Sequence, residues 1–268
     1  MNLKGQWVWV TGASSGLGLE LSKQLSKLGA NVMITARRAD RLEALATELR
    51  AGGVEVKVAP ADMSRPADVE KVLGLAKALP LAAVVLNAGV THFGHHHELE
   101  WSAFEAMLQT NVISTTRITT ELVKHFQATN APARIMLVTS LTGLMPVPFQ
   151  SAYSGTKAFL TAFGTALAHE LRGSQVSLTV FAPGGIATEQ TAGARFDSLR
   201  AWLAPVDAVA LEALAALRSR DSLYVQGLLN RVGFFFFRFL PRDLVMWGLS
   251  REYRKALAAH ALLEAPKK

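Results

Sequence analysis

Thr11-Gly12-Ala13-Ser14-Ser15-Gly16-Leu17-Gly18 is the stretch that decides how this chain is read. The apolar run Trp7-Val8-Trp9-Val10 leads into it, and a helical pattern, Leu17–Leu28, leaves it. Glycines between a first strand and a first helix let an anion approach the backbone N–H groups of the helix N-terminus, where the helix carries partial positive charge. Side chains at the close-approach positions would block it. A glycine-rich turn without a ligand is the plainer alternative, but the position between first strand and first helix favours a dinucleotide. Gly12, Ser14, Ser15, Gly16, Leu17 and Gly18 are therefore the candidates to hold a pyrophosphate.

Outward from this turn, short β-rich runs alternate with helical stretches. The runs are Gln6–Val10, Asn31–Thr35, Val54–Ala59, Ala83–Leu86, Arg134–Thr139, Val176–Phe181 and Ser222–Val225. Several, such as Ala83-Val84-Val85-Leu86, are apolar without alternation, as strands covered on both faces of a parallel sheet are. The helical stretches are Leu17–Leu28, Arg38–Ala51, Pro66–Ala78, Trp101–Gln127, Ala152–Leu171 and Pro205–Arg218. The alternation predicts an α/β protein, with one doubly wound, mostly parallel seven-stranded sheet flanked by helices. Residues 1–230 form the dinucleotide-binding and catalytic domain, and 231–268 a C-terminal helical extension.

Composition narrows the classes. Half of the 268 residues are hydrophobic, too many for a disordered chain. The absence of cysteine excludes a disulfide scaffold, thiol catalysis and cysteine-bound metal. Met1–Gln6 lacks a signal-peptide pattern, and Asn230, Arg231 and Arg238 interrupt the greasiest stretch, Leu223–Leu240. A cytoplasmic protein is expected, with membrane association through the tail as the alternative.

The end of the second strand selects the coenzyme. An acidic residue there would accept from ribose hydroxyls. The chain instead reads Thr35-Ala36-Arg37-Arg38, and guanidinium groups suit a 2′-phosphate, so NADP(H) is expected. Arg37 is favoured over Arg38, and both stand as candidates. Ser14 can donate to the same phosphate, and Asp62-Met63 lies where a carboxylate can meet the adenine amine.

With Leu86-Asn87-Ala88-Gly89, Asn111, Ser140, Tyr153-Ser154-Gly155-Thr156-Lys157 and Pro183-Gly184-Gly185-Ile186-Ala187-Thr188 in order, the sequence resembles the short-chain dehydrogenase/reductase family. The resemblance covers about residues 5–228 and departs at Leu86, where many members carry asparagine. It implies a Rossmann fold and NADP-dependent interconversion of a carbonyl and an alcohol. The catalytic set it implies is Asn111, Ser140, Tyr153 and Lys157. Asn87, Ala88 and Gly89 would line the coenzyme trough. Tyr153, Lys157, Pro183, Gly184, Ile186 and Thr188 would lie along the nicotinamide half, with Thr188 bonding the carboxamide.

The residues make chemical sense on their own. Tyr153 and Lys157 are i and i+4 on one predicted helix and share a face. A phenol is a poor base at neutral pH, and a neighbouring ammonium is expected to lower its pKa. Tyr153 would then give a proton to a carbonyl oxygen or take one from an alcohol, with Ser140 bonding the same oxygen. Asn111 resembles the residue that holds a water beside the lysine.

Other groups take lesser roles. His92, His95, His96 and His97 crowd one loop, which reads as polar and near the substrate mouth, not as a metal site. Thr188–Ala204 is expected to cover the substrate with Phe196, Leu199, Trp202 and Leu203 beside Arg195 and Arg200. Met145, Val147, Pro148 and Phe149 form a further apolar wall. Residues 231–268 carry eight Lys/Arg against three Asp/Glu, with Phe234–Phe237 and Phe239 among them. That tail packs as extra helices at the substrate mouth or against a partner subunit, or it meets a membrane surface; packing is favoured, and nucleic acid is not expected. The expected partners are a small apolar carbonyl or alcohol substrate and further copies of the chain, as a dimer or tetramer built on Trp101–Gln127 and Ala152–Leu171. A catalytically silent NADP(H)-binding sensor or scaffold is the alternative function.

Overall fold

The structure is a computed structural model, and it describes residues 2–192, 200–237 and 239–264, with side chains as far as 258. Seven strands form one sheet: β1 (Trp7–Thr11), β2 (Asn31–Thr35), β3 (Val56–Val58), β4 (Leu81–Leu86), β5 (Ala133–Val138), β6 (Val176–Ala182) and β7 (Leu223–Val225). Their order is β3-β2-β1-β4-β5-β6-β7, and every pair is parallel. The order reverses between β1 and β4, so a crevice opens beyond their carboxyl ends.

Side chains alternate across a strand, and both faces are covered. Val8 and Val10 point to one face, where they meet Leu21 and Leu25 of α1 (Gly16–Lys27), Leu42 and Leu45 of α2 (Ala39–Ala51) and Val209 and Ala213 of α7 (Val206–Ser219). Trp9 points to the other, with Val72 of α3 (Pro66–Lys77) and Ile118 and Leu122 of α5 (Thr115–Ala128). Helix α6 (Ser151–Glu170), which carries Tyr153 and Lys157, also lies on that second face. A Cβ at its Gly164 would come within 2.6 Å of Val180 and 2.8 Å of Leu137, so this glycine sets how closely α6 approaches the sheet.

Two boundaries differ from expectation. β3 is only three residues long, because as an edge strand it pairs with β2 alone. The helix expected over Trp101–Gln127 is divided: α4 (Trp101–Leu108) passes through a wider, π-type turn at Gln109–Ser114 before α5 begins. Such turns recur at functional sites, and Asn111 lies in this one. The C-terminal extension is helical, as α8 (Leu228–Phe237) and α9 (Arg242–Glu264). No helix among the described residues is long and apolar enough to cross a membrane.

Candidate active site

The ends of β1 and β4 are tied together first. Thr11 Oγ1 accepts from the backbone N–H groups of Asn87 and Ala88, both at 3.0 Å, and Asn87 Nδ2 donates to the Thr11 carbonyl at 3.1 Å. Gly12 sits at φ +72°, and a Cβ there would lie 2.8 Å from Asn87 Nδ2. At Gly18 an added Cβ would collide with the Gly12 carbonyl. Ser15 occupies the cap position of α1 without a side-chain cap. The first N–H groups of a helix have no partner inside it, so those of Gly16, Leu17 and Gly18 are available to an anion.

Arg38 closes the turn from the β2 side. Its guanidinium donates to Ser14 Oγ at 3.1 Å and to Ser15 Oγ at 2.8 Å, while NH1 meets Glu189 at 3.2 Å. Glu189 also accepts from Arg41 at 2.6 Å, and these two arginines hold its carboxyl below the usual range. Arg37, which the sequence favours, is instead exposed on the side of Asp62. Burial alone would raise the Asp62 carboxyl. The Ser64 N–H and hydroxyl, then the charges of Arg37 and Arg65, outweigh it and leave that carboxyl lowered. Met63 is buried, and its carbonyl accepts from Ser114 Oγ at 2.6 Å.

Asn111, Ser140, Tyr153 and Lys157 form a cluster beyond β4 and β5. Asn111 is fully buried; its Oδ1 accepts from Val90 N and its Nδ2 donates to Val90 O, each at 2.9 Å. Nδ2 also reaches Thr156 Oγ1 at 3.1 Å, and Thr156 donates on to the Tyr153 carbonyl at 2.7 Å. Sequence reasoning passed over Thr156, although it stands inside the Tyr153–Lys157 motif. Ser140 Oγ accepts from Thr142 N at 3.2 Å and bonds the Tyr153 hydroxyl. Lys157 is 3% exposed, donates to Val138 O at 2.9 Å and lies 5.7 Å from the Tyr153 ring centroid. A Cβ at Gly89 would stand 3.4 Å from both Asn111 Oδ1 and Lys157 Nζ, so this glycine keeps their shared space open.

The electrostatics correct one expectation. Tyr153 is not acidified: burial pushes its pKa up to about 12, against the lowering effect of the Ser140 bond. Burial also brings Lys157 down to about 8. Desolvation disfavours both charged forms, and the ammonium is directed at Val138 O. At neutral pH Tyr153 is thus a neutral phenol, a proton donor.

Residues 6–198 match the short chain dehydrogenase family. The chain belongs to that family. It is 31% identical over 194 residues to 17-beta-hydroxysteroid dehydrogenase type 3 of Homo sapiens, which covers 70% of this chain and 61% of that protein. It is 35% identical over 174 residues to a very-long-chain 3-oxoacyl-CoA reductase of Podospora anserina, covering 63% of this chain and 51% of the relative. The matches thus span about half to three-fifths of these relatives' length. Among solved structures, a short-chain dehydrogenase from Sphingobium yanoikuyae in complex with NADPH superposes with a TM-score of 0.78 at 26% identity, covering 88% of this chain and 96% of that one.

The remaining short-chain dehydrogenase positions frame this cluster. Pro183 O accepts from Leu141 N at 2.8 Å, next to Ser140, and Gly184 lies under Asn230 of α8. Ile186 pairs with Ala204 and its carbonyl takes the Thr191 hydroxyl. Thr188 caps the short turn Glu189–Thr191, with its methyl near Gly16. Gln190 crosses the trough to donate to Gly89 O at 3.2 Å. Glu189 and Gln190, which the sequence reading did not single out, thereby strap the trough at both ends. Phe196, Leu199 and Arg195 of the expected cover lie outside the described residues, as does Arg238; Trp202 is exposed. Leu86, the departure from the family pattern, is buried in the core. His95 stacks edge-on against Phe149 at 5.1 Å and His96 against Phe104 at 6.1 Å, so these rings pack on aromatic neighbours.

Proposed function

We propose that this protein is an NADP(H)-dependent reductase of apolar, lipid-like ketones, with Tyr153 as the proton donor. The carrying observation is a neutral, half-buried Tyr153 bonded to Ser140 beyond the glycine-rich turn. The residues fit such a coenzyme: Gly12 and Gly18 let the turn pack against itself and Asn87 with no side chain between, the N-terminus of α1 is open to an anion, and Arg38 stands on Ser14 and Ser15 where a 2′-phosphate would need it. When bound, the reduced coenzyme would supply the hydride.

The protein supplies the rest. Ser140 bonds the oxygen that gains charge, Tyr153 gives it a proton, and Lys157 and Asn111 border the path by which that proton is replaced. The NADPH complex of the Sphingobium relative supports the coenzyme choice. The steroid and very-long-chain acyl substrates in the relatives' names support the substrate class. Exposed Trp101, Ile113 and Phe159 on the α4–α6 side support assembly with further copies.

Fluorescence titration should give tighter binding of NADPH than of NADH, and a panel of ketones should include turned-over substrates. Tyr153→Phe should lose roughly 10³-fold in turnover while NADPH affinity holds. Tighter NADH binding would overturn the coenzyme assignment, and unchanged turnover in the variant would overturn the mechanism.

A further inference from the structure

α8 is turned inside out. Its solvent-facing stripe is Leu228, Leu229, Val232, Phe235 and Phe236, continued by Phe239 beyond its end, with Leu229 87% and Phe236 61% exposed. That is the i, i+1, i+4, i+7, i+8 spacing with which an ordinary surface helix would face its own core. The less exposed side carries Asn230 and Phe234, and Arg231, itself half exposed, ties the helix to the body. Asn230 donates to Gln226 O at 2.8 Å, and Arg231 donates to Val225 O at 2.7 Å, pairs with Glu212 at 3.4 Å and stacks over Tyr224 at 4.4 Å. These anchors fix the helix, so its apolar stripe cannot roll inward without stranding them.

The stripe continues past the end of α8 into Leu240, Leu244 and Trp247, all exposed. Among the described residues, ten of the sixteen large apolar residues that are exposed fall within positions 228–247. Monomeric proteins rarely leave so concentrated an apolar surface in water without a partner for it. α9 itself is held to the body: Tyr253 stacks edge-on against Phe93 at 5.6 Å, and Ala256 is buried.

Charge identifies the partner. Arg242, Arg251, Arg254 and Lys255 are exposed on α9, against Asp243 and Glu252, and Glu252 is bonded to Lys255 at 2.7 Å. A second copy laid symmetrically on this face would set like charges against each other. A layer of anionic headgroups would meet the arginines while accepting phenylalanine and leucine below them. We propose that α8 and the first turns of α9 form a docking face for an anionic lipid bilayer, lying in its interface without crossing it.

The docking face adjoins the candidate site, whose role rests on the function proposed above. The inner face of α8 lies on Gly184, beside Leu141, the residue after the catalytic Ser140. A groove lies between Pro148 and α9, where Met246 and Trp247 stand beside Asp243, Arg251, Arg254 and Lys255.

Flotation of the full chain with vesicles tests docking. The protein should float with phosphatidylcholine–phosphatidylserine vesicles, far less with phosphatidylcholine alone, and less as salt rises. The double variant Leu229→Ser, Phe236→Ser should reduce vesicle binding roughly tenfold or more, as removal of interfacial apolar contacts would. Arg251→Gln with Arg254→Gln should abolish the preference for anionic vesicles. The serine variant should reduce a water-soluble ketone as the wild type does. Absence of flotation by the wild type, or equal flotation of the serine variant, overturns the proposal. So does a wild-type dimer that the serine variant converts to monomer, since the face would then belong to a second copy. Because flotation needs no turnover, it decides docking even where no ketone is reduced.

Discussion

Two helices of this molecule break the ordinary partition of side chains in opposite directions. α6 buries a lysine, a threonine and a serine: Lys157, Thr156 and Ser154 are each 3% exposed or less. α8 exposes leucine and phenylalanine. Buried charge and exposed apolar surface are both costly, and folding alone would select neither. In α6 the exception is surrounded by partners, Val138 O, Asn111 and Ser140, and faces the crevice at the strand ends. In α8 it faces water, with its polar groups secured behind it. The pair teaches that a departure from the usual partition, held in place by specific bonds, marks where the chain meets something else: reacting atoms in one case, an outside surface in the other.

The strongest way to break the comparison is to remove the buried charge. Lys157→Met should lower ketone reduction by about 10³-fold, within the range of proton-transfer contributions. It should also change how stability depends on pH. Lys157 titrates near 8 when folded, below its ordinary 10.5, so the unfolded chain binds more protons between those values. The stability of the wild type therefore rises with pH from about 8 to 10, by about 3 kcal/mol at most. Tyr153 runs the other way: raised from 10.0 to about 12, it retains its proton longer when folded, so its contribution is lost as pH climbs above 10. Denaturant unfolding at about pH 7 and about pH 9.5 should show the methionine variant the more stable at the lower value, with the gap closing at the higher. Parallel pH curves for the two proteins would mean that Lys157 is not held in a desolvated state.

Much of this contrast could be read from the sequence on the α6 side and little of it on the α8 side. The Thr11–Gly18 turn, the alternating runs and the Tyr153–Lys157 spacing are local signals, and the sheet follows from them. The π-type turn at Gln109–Ser114 is not local: Asn111 is fixed by both backbone groups of Val90, 21 residues earlier. The pKa of Tyr153 depends on burial by elements far along the chain, and that burial raises it where the lysine spacing in the sequence pointed to a lowering. Arg37 and Arg38 are adjacent and alike in sequence; which one meets Ser14 is settled by where β2 ends and α2 begins. The aromatic run at Phe234–Leu240 is visible in sequence, but its direction is not. Asn230 and Arg231 turn inward because Gln226 and Glu212 await them there.

A smaller effect sharpens the coenzyme side. Arg38→Ala removes the guanidinium from Ser14 and Ser15 and should weaken NADPH roughly tenfold or more, while NADH changes far less. Glu189→Gln tests the opposite sign. The Glu189 carboxylate occupies Arg38 as a 2′-phosphate would, and it belongs to the strap across the trough. Neutralising it should tighten NADPH by about two- to fivefold, the scale of an exposed ion pair, and leave NADH unmoved. Isothermal titration of both coenzymes against both variants separates the cases, and weaker NADPH binding in Glu189→Gln would show that the strap supports the coenzyme rather than competing with it.

The smallest effect bears on α8. Phe→Ala or Leu→Ala in a packed core costs about 3–5 kcal/mol or 2–5 kcal/mol, since a cavity follows the lost contacts. Leu122, fully buried on α5, should behave so. Leu229→Ser and Phe236→Ser should each change unfolding free energy by no more than about 0.5 kcal/mol, because those side chains already stand in water. Denaturant midpoints of the three single variants test this directly. If Phe236→Ser falls in the range of Leu122→Ala, the stripe is packed against protein in solution, and the outward-facing half of the comparison is lost. If it stays near zero, these residues contribute almost nothing to holding the fold, and the apolar face must be explained by what it touches.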